Sequence, residues 1–80
     1  MSRRATPASS TSIGLLLQLK RVKRRLQQNE VATRAGLSRE RLSRIEAGRI
    51  DPRWSDITKI TNALGIKVPE LFEELSIETG

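Results

Sequence analysis

The sequence contains no cysteine and no histidine. Without thiols there is no disulfide framework, no thiolate metal site and no redox chemistry. Without imidazole the commonest metal ligand and acid–base group is missing. Zinc fingers are excluded, and neither a metal nor a cofactor is expected. Aromatics are almost absent: Trp54 and Phe72 stand alone, and both fall on apolar helical stripes. That leaves no stacking platform for single-stranded nucleic acid. The longest apolar run, Leu15-Leu16-Leu17, is far short of the roughly 20 residues a membrane span needs. The opening MSRRATPASS lacks the hydrophobic segment of a signal peptide, so a cytoplasmic location is expected. There is also no glycine-rich phosphate loop, and an isolated carboxylate has nothing to act with, so an enzyme is not expected.

What the chain does have is positive charge, unevenly placed. Residues 1–53 hold thirteen Lys and Arg against Glu30, Glu40, Glu46 and Asp51, a balance of +9. Residues 54–80 hold Lys59 and Lys67 against five acids, a balance of −3. Such an asymmetry points to a polyanionic partner, either nucleic acid or an anionic membrane surface. Eighty residues allow one domain with a modest core, which makes oligomerisation an expectation.

Along the chain, residues 1–11 carry Ser, Thr, Pro and Ala without periodicity and read as a flexible basic arm, with Arg3 and Arg4 available to reach a polyanionic partner. From Ser12 the pattern is helical. Ile13, Leu16, Leu17, Leu19, Val22 and Leu26 recur at helical spacing behind Thr11 or Ser12 as N-cap, and the last turns are basic, matching the helix dipole. A second helix is expected over Gln28–Ala35, ended by Gly36. Ser38 caps a third that runs to about Ala47. Trp54, Ile57, Ile60, Thr61 and Leu64 make a fourth stripe closed by Gly65, and Val68, Leu71, Phe72 and Leu75 a fifth. The fold class is all-α with five short helices in a domain over residues 12–75, followed by a tail at 76–80.

The third helix is the informative one. At about 100° per residue, Leu42, Ile45 and Glu46 fall on one side, while Glu40, Ser43, Arg44 and Ala47 fall on the other, with Arg39 and Arg41 on the flanks. The outward set is long, forked and hydrogen-bonding. Arginine matches the two acceptors of guanine, and a carboxylate accepts from the cytosine amino group. An eight-residue helix, a glycine turn and a second helix with a polar first turn make a helix-turn-helix unit over residues 28–47.

The segment QNEVATRAGLSRERLSRIEAG resembles the helix-turn-helix of phage repressor and Cro proteins, the XRE family. Ala32 sits where a small side chain lets the two helices cross, Gly36 sits in the turn, and Val31, Ala35, Leu37, Leu42 and Ile45 hold the locking apolar positions. The likeness extends over residues 13–72, where PRWSDITKITNALGIKVPELF matches the later helices. It implies a five-helix, lambda-repressor-like DNA-binding domain. Three residues depart from the family pattern: Arg53 and Lys67 stand where a capping serine is common, and Arg25 replaces a frequent glycine.

The resemblance assigns roles. Arg39, Glu40, Ser43 and Arg44 correspond to base-reading positions. Gln28, Ser38, Arg41, Arg49 and Arg53 correspond to backbone contacts, which orient without specifying. Glu46 lies on the inward side and needs a cation, and by resemblance that cation is Arg21. The function implied is a sequence-specific transcriptional regulator, a repressor or autoregulator. It would bind palindromic duplex DNA as a homodimer through Leu71, Phe72, Leu75 and Ile77. Relatives of this kind also serve as DNA-binding antitoxins, with a toxin as protein partner, or as controllers of restriction-modification operons. A membrane-surface helix fits less well, because Lys20, Lys23 and Arg24 of the first helix fall within its apolar arc rather than opposite it.

Overall fold

The computed structural model describes residues 12–73. Five helices follow one another: α1 Ile13–Lys23, α2 Gln28–Ala35, α3 Arg39–Glu46, α4 Trp54–Leu64 and the single-turn α5 Val68–Leu71. No strand occurs among the described residues. The expected basic arm, the tail, and Leu75 and Ile77 lie outside them.

The helices begin in two ways. Ser12 Oγ accepts the Leu15 N–H and Ser38 Oγ the Arg41 N–H, each at 3.1 Å. The other three N-caps are Gln27, Arg53 and Lys67, and the last two have no side-chain acceptor to give. There the acid three residues on accepts the N-cap N–H instead: Glu30 from Gln27 at 2.9 Å, Asp56 from Arg53 at 2.8 Å and Glu70 from Lys67 at 2.7 Å. This is the reciprocal half of a capping box, and it sets a carboxylate at the positive end of each helix. The missing serines are thereby offset.

Four helix ends close alike. An N–H reaches back five residues from Leu26 to Arg21, Leu37 to Ala32, Arg49 to Arg44 and Ile66 to Thr61, at 2.9 to 3.3 Å. The residue just before each donor takes a left-handed backbone: Gly36, Gly48 and Gly65 with φ of 72 to 76°, and Arg25 with φ 58°. Glycine adopts this without steric cost, whereas at Arg25 the Cβ crowds the following carbonyl.

The core gathers Leu17, Val31, Leu42, Ile45, Ile60 and Leu71, all fully buried, with Ala32 of α2 buried among them. Each such aliphatic side chain contributes roughly 1.5 to 3 kcal/mol by leaving water. α2 packs most extensively on α4, while α3 rests on α1 and α2. Gly14 permits the α1–α3 crossing, because a Cβ there would run into the carbonyl oxygen of Ile45.

Three expectations are corrected. The inward face of α1 carries Gly14, Leu16, Leu17 and Lys20, while Leu19 and Val22 are exposed. The Lys20 stem lies along the core and its ammonium reaches Glu73 at 3.9 Å, so a long basic side chain fills a place the sequence suggested for an apolar one. Trp54 is 66% exposed rather than part of the α4 stripe. It is the first residue of α4, and side chains lean toward the helix N-terminus, so its indole projects past the start of the helix instead of over the core. Leu71, expected at a dimer interface, is completely buried within the domain and has no surface to offer a partner. Phe72 beside it remains partly exposed.

Candidate nucleic-acid interface

α3 is divided lengthwise. Leu42, Ile45 and Glu46 face the interior, Arg39, Glu40 and Arg44 are exposed, and Ser43 is half-buried. Two charged clusters brace it, one at each end. At its C-terminal end the buried Glu46 carboxylate accepts two hydrogen bonds from Arg21, Nε to Oε2 at 2.8 Å and Nη2 to Oε1 at 3.0 Å. The Gln28 amide Nε2 also donates to Glu46 Oε1 at 2.9 Å, and Arg21 Nη1 donates to the Leu26 carbonyl at 2.7 Å. One carboxylate thus ties together the end of α1, the start of α2 and the end of α3. Its buried charge is met by a bidentate guanidinium and an amide, which such a charge requires.

At the N-terminal end Arg41 donates to Asp56, Nε to Oδ1 at 3.1 Å and Nη2 to Oδ2 at 2.7 Å. The same carboxylate accepts the Arg53 N–H. Asp56 is buried, yet its hydrogen bonds to the Arg41 guanidinium hold its pKa below the usual aspartate value, outweighing the desolvation that would raise it. The Arg41 pKa is raised by the same pair. This clamp joins α3 to the first turn of α4. It was not legible in the sequence, because residues 41 and 56 belong to different helices at a spacing no local pattern marks.

A family profile described as a helix-turn-helix domain matches residues 12–75. The chain belongs to the helix-turn-helix domain family. No curated protein matches the sequence.

In a helix-turn-helix domain the second helix of the unit is the one presented to DNA, and here that is α3. The expected base-reading residues stand together on it: Arg39, Glu40 and Arg44 fully outward and Ser43 at the margin. The expected backbone residues divide. Arg49 and Arg53 are exposed within and at the end of the α3–α4 loop, whereas Gln28 and Arg41 are committed to Glu46 and Asp56. Each keeps N–H groups outside those bonds, since a guanidinium has five and an amide two. Ser38 spends its hydroxyl oxygen on capping α3. A polar recess lined by Arg21, Gln27, Gln28, Asn29 and Arg39 opens beside the start of α2. Leu75 and Ile77 lie outside the described residues, and Leu71 is buried within the domain. No helix of the described residues is long and apolar enough to cross a membrane.

Proposed function

We propose that this helix-turn-helix protein is a sequence-specific transcriptional regulator of the repressor and Cro type, acting in the cytoplasm as a homodimer on a two-fold symmetric operator. The observation that carries the reading is the outward row Arg39, Glu40 and Arg44 on a helix held rigid at both ends by bidentate ion pairs. A guanidinium or carboxylate reads a base edge only if its backbone is fixed relative to the groove. Glu46 and Asp56 supply that fixity without themselves facing outward.

In this reading Arg44 pairs with guanine O6 and N7, Glu40 accepts from a cytosine amino group, and Arg39 and Ser43 contact neighbouring edges. Arg49, Arg53 and the free N–H groups of Gln28 and Arg41 hold phosphates, setting register. A single eight-residue helix covers few base pairs, so useful discrimination needs two copies. Phe72, with Leu75 and Ile77 beyond it, is the proposed seam. Selection of duplexes from a random pool tests the proposal. The expected product is a pseudo-palindrome with half-sites about one helical turn apart. Enrichment of no sequence over the starting pool overturns it.

A further inference from the structure

Trp54 is the largest exposed apolar side chain among the described residues, 66% exposed. It stands at the first position of α4, directly after Arg53, and downstream of Arg39, Arg41, Arg44 and Arg49 in a stretch dense in cations. Its backbone is not loose. The Asp56 carboxylate accepts the Arg53 N–H at 2.8 Å and hydrogen bonds from Nε and Nη2 of Arg41, so the turn that carries the indole is fastened to the reading helix. A partner that covers the indole also meets the exposed Arg53 beside it, which favours one of negative charge.

Resting on the DNA-binding reading above, we infer that Trp54 packs its indole against the sugar–phosphate backbone of duplex DNA at the edge of the groove occupied by α3. The ring face covers deoxyribose carbons, and the indole N–H, a donor with no acceptor role, points to a phosphate oxygen. Such a contact differs from an arginine contact in one measurable respect. It is uncharged, so it adds affinity without releasing a counterion. Because the backbone is the same for every sequence, it adds that affinity to all duplexes alike.

Trp54 is the only tryptophan, which makes its fluorescence a reporter needing no mutation. The experiment titrates the full chain with a short random-sequence duplex at low salt, following indole emission, acrylamide quenching and, in parallel, anisotropy of labelled DNA. The inference predicts a blue-shifted, acrylamide-protected indole at saturation. Trp54→Ala is expected to weaken binding about tenfold, on random and selected duplexes equally, with the slope of log K against log salt and the Tm unchanged. Trp54→Phe is expected to recover most of the loss. Saturation seen by anisotropy while the indole stays accessible, or unchanged affinity in Trp54→Ala, overturns the inference and leaves the DNA-binding reading standing. An indole that becomes protected on raising protein concentration without DNA assigns the ring to a contact between copies and also overturns it. Absence of any duplex binding by anisotropy overturns both.

Discussion

At the scale of single residues, the two kinds of arginine contact separate by experiment. Arg44 faces outward on α3, and in the proposed role Arg44→Ala costs roughly 1 to 3 kcal/mol on the selected duplex while leaving random duplex little affected. Arg53→Ala weakens both alike and lowers the salt slope by roughly one. Both side chains are exposed, so both variants should melt with the wild type. Salt titrations on selected and scrambled duplexes check the pair. If Arg53→Ala alone relaxes base preference, the reading face is misassigned. Arg25 gives a prediction about stability. Among the described residues it is the one non-glycine in a left-handed conformation that three glycines occupy at equivalent helix ends. Relief of that strain, less the entropy glycine adds to the unfolded chain, leaves a gain of about 0.5 to 1 kcal/mol for Arg25→Gly. Thermal melting should show a rise of a few degrees, and a fall would mean that the Arg25 side chain stabilises the fold by contacts of its own.

At the scale of elements, the domain depends on two carboxylates that each fasten α3 to its neighbours. Asp56 makes this testable by pH. Its pKa in the folded protein is lowered, chiefly by the Arg41 hydrogen bonds, so the unfolded chain takes up the proton first as pH falls. The clamp therefore contributes fully above the ordinary aspartate value of about 4, and its contribution is lost as pH drops through the lower folded value. Asp56→Asn should melt several degrees below wild type at neutral pH, with the gap closing in acid. A gap that stays constant from pH 7 to strongly acid conditions would show that the charge plays no part. These braces mark where the sequence was readable. The helix-turn-helix unit was legible because its signals are local: Ser38 before a helix, Gly36 in the turn, and Leu42 and Ile45 on one side. Glu46 was legible as a charge on the wrong face. The Arg41–Asp56 clamp joins separate helices and left no periodic trace. On α1 the apolar periodicity was misleading, because Lys20 can bury its stem where a leucine was the obvious choice, and Leu19 and Val22 were thereby turned outward. Trp54 was misread because hydrophobicity suggested the core, whereas its place at the first turn of α4 directs the ring beyond it.

At the scale of the whole molecule, the account requires two copies on one duplex. Sedimentation should show a dimer on DNA, and Phe72→Ser should shift it toward monomer at temperatures where circular dichroism shows the variant still folded, since Phe72 is 37% exposed. A monomer at every concentration, with and without DNA, would contradict the homodimer. The central claim is that α3 lies in the major groove and reads base edges there, and methylation interference on the selected duplex tests it most directly. Guanine N7 is a major-groove acceptor. The account predicts that N7 methylation blocks wild-type binding at a few guanines, in two clusters about one helical turn apart. Arg44→Ala should lose its sensitivity at one symmetric pair of them. Interference confined to minor-groove positions, or spread evenly along the duplex, would contradict it.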